Sequence, residues 1–274
     1  MAKGGTASGV DVVMLTKNSM RPSLPETIAS VYANIPVNRL IVVDGGSKDG
    51  TVEFLSGQKG AVLVDDSKGT RATARQKGIE AVETELFAFV DSDVVLQPRW
   101  YDLAMAWFAN GVGGVSTFSR QLGDEADTQR AVAKLYRLRS VSDLARRKRF
   151  DTAASLIRTE AVRGLKIPRE LQAGEDEFIG RFIQGRGFRA FGVPSPVVCH
   201  RRTEPQTDSP ITRGRLLRRH GWRTTRYMAR QMLLSVPEGV FICLYTGNCR
   251  AGVQRFRYST LAFVGYVTGP SSYE

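Results

Sequence analysis

Four short runs of β-branched and other apolar residues recur in the first third of the chain: "VDVVML" at 10–15, "RLIVV" at 39–43, "AVLV" at 61–64 and "LFAFV" at 86–90. Each run is continuous rather than alternating, the pattern of strands covered on both faces within a parallel sheet. The intervening stretches change period. "LPETIASVYANI" carries Ile28, Val31 and Ile35 at helical spacing behind Pro25, and "TRATARQKGIEAVE" carries Ala72, Ala74, Ile79 and Val82 along one stripe. Strand and helix alternating at this length predict a doubly wound α/β sheet.

Each of the four runs gives way to polar residues: Thr16-Lys17-Asn18, Asp44, Asp65-Asp66 and Asp91-Ser92-Asp93. Ligands of open parallel sheets bind outside the carboxyl ends of the strands, so the four endings predict one shared crevice. It is neither a dinucleotide fingerprint nor a P-loop. No GxGxxG follows the first strand, and GxxxxGK[ST] is absent.

Composition narrows the partners. A chain of 274 residues with 42% hydrophobic content can bury a full core, and Lys+Arg 39 against Asp+Glu 27 gives a net charge of +12. Such a balance favours a polyanionic partner, whether nucleic acid, an anionic membrane or a phosphorylated substrate. Cys199, Cys243 and Cys249 include no CxxC or Cys/His cluster, which predicts neither a disulfide framework nor a zinc site and fits a reducing compartment. The small polar N-terminus lacks an apolar signal segment, and "VFICLY" and "LAFVGYV" are each too short to span a bilayer.

"VVDGGSKDGT", "GTRATARQKGIEAV", "FVDSD", "SLIRTEAVRGL" and "GEDEF" follow one another in an order and approximate spacing that resembles family-2 glycosyltransferases of the GT-A fold. The resemblance covers about residues 10–203. It implies a catalytic GT-A domain over 8–203, with a mainly parallel sheet, followed by a basic helical appendage over 204–274. It departs from many relatives at the first strand end, where Thr16-Lys17-Asn18-Ser19 stands in place of an Asn-Glu pair.

The resemblance also implies roles for particular residues. Alternate residues of an extended segment project to one side, so Asp91 and Asp93 can face the crevice together. Asp93 would ligate Mg²⁺ or Mn²⁺, with Asp91 meeting the ribose or the metal through water; a solvated acidic turn is the alternative. His200 would join the metal or diphosphate. Thr16, Asp44, Asp65, Asp66 and Arg71 are candidates for the donor nucleotide, and Arg71 or Arg75 could reach a phosphate or position Asp91. Glu175 and Asp176 open a helix whose apolar stripe includes Phe178, Ile179, Phe182 and Ile183. Acids favour that position through the helix dipole alone, and the resemblance adds a catalytic role: Asp176 as base, Glu175 organising the acceptor side. Ser155 is a further acceptor-side candidate.

Most of the excess charge lies in the last quarter, where Arg201 to Glu274 holds 12 Arg, no Lys and 4 acids. Arg219, Arg223, Arg226 and Arg230 recur at helical spacing, with Trp222, Met228, Met232 and Leu233 offering an apolar side. This predicts a basic amphipathic helix at a membrane interface. A second basic segment, "KLYRLRSVSDLARRKRF" at 134–150, is as consistent with a solvated helix face as with an acceptor border.

Together these features predict a metal-dependent, inverting transferase at the cytoplasmic face of a membrane. The resemblance, which extends to dolichol-phosphate mannose synthases, implies mannose from GDP-mannose as the first donor and UDP-sugars next, with a lipid-linked polyprenyl acceptor. A soluble UDP-sugar transferase is the nearest alternative. Nucleic-acid binding by the tail accounts for the charge but lacks any accompanying motif. Nucleotidyltransfer lacks its glycine-rich first loop.

Overall fold

A computed structural model describes residues 9–147, 150–171, 173–201 and 209–270. The four apolar runs form β1 (Val10–Thr16), β2 (Val37–Asp44), β3 (Ala61–Asp65) and β4 (Leu86–Val90). Helices α1 (Leu24–Asn34), α2 (Thr51–Ser56) and α3 (Arg71–Glu80) connect them. β1 pairs in parallel with β2 and β4, and β2 with β3, as continuous doubly covered runs should. The register sets Thr16 beside Asp44 and Asp44 beside Asp65, so three of the polar strand ends share one rim.

The sheet continues through β5 (Val94–Leu96), β6 (Val112–Arg120), β7 (Ala154–Arg158) and β8 (Arg189–His200), in the order β3-β2-β1-β4-β7-β6-β8-β5. β7 runs antiparallel to β4 and β6, whereas β6 and β8 are parallel. Helices α4 (Trp100–Met105), α5 (Gly123–Leu135) and α6 (Glu175–Gly185) complete this part of the chain. Met14, Leu40, Trp100 and Leu156 are among the fully buried core residues on the α1 side of the sheet.

The chain forms two compact units. The first comprises the sheet, up to Arg120 and from Ala145 to Arg201. The second joins Gln121–Leu144 to the C-terminal helices α7 (Pro210–Arg219), α8 (Thr225–Thr246) and α9 (Cys249–Thr268). The boundaries read from sequence had left α5 within 8–203. Instead Ala131 of α5 packs with Ile242 and Ala251, and Asn248 donates to Asp124 and Asp127.

Two further features differ from the sequence reading. The arginine stripe does not run along one helix: α7 ends at Arg219, Gly221 turns the chain at φ 60°, and Thr224 caps α8 by accepting from the Tyr227 amide. Arg219 and Arg223 are thereby separated from Arg226 and Arg230. Met228 is buried with Leu217 and Tyr266, and Trp222 packs half-buried against that cluster, stacked on His220. Cys243 and Cys249, whose spacing suggested no disulfide framework, form a disulfide across the turn that reverses α8 into α9.

Candidate active site

The loops after β1 and β2 are laced together. Asn18 donates its amide to Ser47 and accepts from the Lys48 amide at 2.8 Å each, and the Ser19 and Met20 amides donate to Thr51 and Asp49. Asp44 stands at their root. Its Oδ1 accepts from the hydroxyls of Thr16 and Ser47, and its Oδ2 from the Gly46 and Ser47 amides. Burial alone would raise this carboxyl, but the bonds from Ser47, Thr16 and Gly46 outweigh it and hold the group below the usual carboxylate range. Both oxygens are thus occupied in bracing the turn, and a ligand contact by Asp44 requires exchanging one of these bonds.

The third strand end divides its two acids. Asp65 is exposed, accepting from the Ser67 amide and hydroxyl. Asp66 is buried and turned toward α3, where it accepts from the Thr73 hydroxyl at 2.7 Å and pairs with Lys77 at 2.9 Å. Its carboxylate thereby anchors α3, and a nucleotide contact from Asp66 requires exchanging one of these partners.

Beyond β4 the acidic pair meets the end of β8. Antiparallel pairing sets Val94 opposite His200, which carries the imidazole to the acidic turn. His200 Nε2 lies 3.0 Å from Asp93 Oδ1, and one ligand atom from each of Asp91, Asp93 and His200 falls within 4.8 Å of the others. Two carboxylate oxygens and an imidazole nitrogen form a donor set suited to Mn²⁺ and tolerable to Mg²⁺. The three residues predicted as metal ligands are brought together.

Asp91 has a second partner. Arg75 of α3 donates to Asp91 Oδ1 at 2.6 Å, its guanidinium stacked 4.6 Å above the Phe89 ring. Arg75 is only 2% exposed, so ordinary helix solvation, which its sequence context allowed equally well, is ruled out. Its Nε and Nη1 are buried without a hydrogen-bond partner among the described residues. Nothing in the periodicity marks it, because Ala74 and Gly78 beside it read simply as a small-residue helix face.

Glu175 and Asp176 occupy the first turn of α6, entered through Gly174 at φ 86°, a conformation that favours glycine. Glu175 is 4% exposed, with Arg71 Nε 3.8 Å away. Burial first, and then the Asp176 charge, push the Glu175 carboxyl up to about 7, against the opposing pull of Arg71 and Arg75. Asp176 is half-buried and accepts from the Glu177 amide at 2.7 Å. Arg75 therefore acts electrostatically on both carboxylate groups, Asp91 by direct contact and Glu175 through its charge.

Ser155 is not at the surface. It is fully buried on β7, paired in register with Phe89 and Ser116, and is not among the exposed residues of the site.

Comparison with known proteins fits this geometry. The model of the glycosyl transferase family 2 matches residues 11–166, more than half of the chain. The chain belongs to glycosyl transferase family 2. Among solved structures, this family-2 glycosyltransferase is similar in fold to the mannosyltransferase PcManGT from Pyrobaculum calidifontis in complex with GDP-Man and Mn²⁺. The TM-score is 0.61 at 17% identity, over 94% of this chain and 87% of that one. It is also similar to S. aureus TarS 1–349 in complex with UDP-GlcNAc, with a TM-score of 0.56 at 15% identity over 94% and 73% of the two chains. No curated protein matches its sequence. The match of the family model ends before Glu175, Asp176 and His200, so the placement of these three rests on the fold.

Proposed function

We propose that this glycosyltransferase moves a sugar from a nucleotide donor, GDP-mannose first, to a lipid-linked polyprenyl acceptor at a membrane surface, with inversion at the anomeric carbon. The observation that carries the reading is the convergence of Asp91, Asp93 and His200 beside the buried Arg75, with Glu175 and Asp176 on the neighbouring helix. A divalent cation held by the first three would offset the negative charge of the departing diphosphate. Thr16, Asp65 and Arg71 are the residues offered to the nucleotide, above the turn that Asp44 braces. The acceptor oxygen forms its bond to the anomeric carbon as the bond to the diphosphate breaks. Asp176, the more accessible acid, takes the proton when the acceptor is a hydroxyl, whereas an acceptor phosphate is already ionised. Glu175, held protonated up to about pH 7, keeps a positioning role.

GDP-mannose is favoured by the fold likeness to PcManGT, and the likeness to TarS keeps UDP-sugars as the second choice. The test is a panel of nucleotide sugars with Mg²⁺ or Mn²⁺ and extracted polyprenyl lipids, comparing the natural chain with Asp93→Ala. Transfer or donor hydrolysis is expected with one donor class, and Asp93→Ala is expected to reduce it by at least about a hundredfold. Inactivity with every donor, or an unaffected variant, would overturn the assignment.

A further inference from the structure

Helices α8 and α9 form an antiparallel hairpin that crosses at glycine. A Cβ on Gly239 would lie 2.7 Å from the Gly252 carbonyl oxygen, so the two backbones meet directly. One side of this hairpin is covered by α5, through Ala131 against Ile242 and Ala251. Glu238 also lies on that side, accepting from Arg255 and from the Tyr136 hydroxyl.

The opposite side is apolar and open. At about 100° per residue, Leu233, Val240 and Leu244 fall on one line of α8, and Val253, Phe256 and Val264 on one line of α9. Antiparallel pairing turns both lines to the side away from α5. Leu244 is 79% exposed, Leu233 65% and Val253 64%. The α8 line continues upstream into Arg226 and Arg230, and Arg257 flanks the α9 line; all three are exposed. Glu238 is the sole acid between Pro210 and Pro270, and it is buried on the covered side.

We propose that this face of the α8–α9 hairpin is the surface by which the protein lies on an anionic bilayer, its apolar lines entering the headgroup boundary and its arginines pairing with lipid phosphates. The inference rests on the membrane reading above and specifies the surface that performs it. No helix among the described residues is long and apolar enough to cross a membrane, so this apolar area would lie in the plane of the interface. Charge decides between a bilayer and a second copy of the chain. A symmetric pairing of the two helices would set arginines against arginines with no exposed acid on either α8 or α9 to relieve them, whereas anionic headgroups complement them. The Trp222 region suggested by sequence is already packed against Leu217 and Tyr266 and offers no comparable apolar area.

Flotation of the full chain with vesicles of phosphatidylcholine, alone or mixed with phosphatidylglycerol, tests the proposal. The natural chain is expected to partition at least about tenfold better into the mixed vesicles. The triple variant Val240→Glu, Leu244→Glu, Val253→Glu, confirmed as folded by circular dichroism, is expected to lose partitioning to both by about tenfold or more. Arg226→Gln, Arg230→Gln and Arg257→Gln together should remove the preference for the anionic mixture, at roughly fivefold per arginine. Nucleotide-sugar hydrolysis in the absence of lipid should be unchanged in both triples. Failure of hydrolysis in the natural chain would count against the transferase reading, while failure of flotation counts against this one. A glutamate triple that still floats, or a natural chain that dimerises through this face in ultracentrifugation without binding vesicles, would overturn the proposal.

Discussion

Glu175 and Arg75 are the residues whose chemistry departs furthest from their sequence context. The usual carboxyl of an unfolded chain titrates near 4.5, and that of Glu175 is raised to about 7. Between those values the unfolded state has already released the proton that the folded state retains. Stability therefore falls as pH rises through this window, and the full penalty is present above pH 7. Glu175→Gln is expected to be more stable than the natural chain by roughly 1–3 kcal/mol at pH 8 and indistinguishable from it near pH 4. Urea unfolding at the two pH values measures this, and an equal effect at both would show that ionisation is not the cause. Arg75 sits on the other side of the balance. Arg75→Ala leaves Asp91 without its 2.6 Å partner and raises Glu175 further, and is expected to cost roughly 2–4 kcal/mol at pH 7. Asp91→Asn introduced together with Arg75→Ala should restore part of that loss, because no unmatched charge then remains at position 91; additive losses in the double variant would refute the pairing.

At the scale of elements, legibility followed the strength of the local pattern. β1 to β4 and helices α1 and α3 were readable because continuous apolar runs alternate with helical spacing and each run ends in a polar turn. β6, "VGGVSTFSR", was not: glycine and hydroxyl residues dilute its apolar character, and it is buried because side chains from outside the strand, such as Phe150 and, from α6, Ile183, lie against its glycines. The metal cluster was legible as two acids and a histidine at strand ends, but only the pairing of β5 with β8 brings Asp93 and His200 to 3.0 Å. In the tail, helical spacing ran unbroken across Gly221, where the chain itself turns, so the arginine stripe was assigned to one helix when it belongs to two and the turn between them. The close glycine crossing of α8 and α9 gives this part of the fold a sharp test. Gly239→Val must force the backbones apart, and is expected to destabilise the helical unit by roughly 2–4 kcal/mol while nucleotide binding by the sheet unit persists. Hydrogen exchange resolved by segment would detect it as lost protection in α8 and α9; unchanged protection there would contradict the crossing.

For the whole molecule, charge and connectivity mattered more than any single motif. The net charge of +12 implied a polyanionic partner, but the charge is divided between two unlike places: a sheet rim lined by carboxylates and a helical face bordered by arginine. Composition alone could not separate them. The interleaving of the two units was invisible in the sequence, because α5 is mostly polar and its buried positions, Gln129, Ala131 and Ala133, carry little apolar signal.

That interleaving has a temporal consequence. During synthesis α5 emerges well before α8 and α9, and at about 5–20 residues per second its small buried face waits several seconds for the helices that cover it. The strands that complete the sheet, β7 and β8, are made in that interval. The catalytic sheet can therefore be completed while α5 is still unpacked, and the helical unit is completed after the sheet.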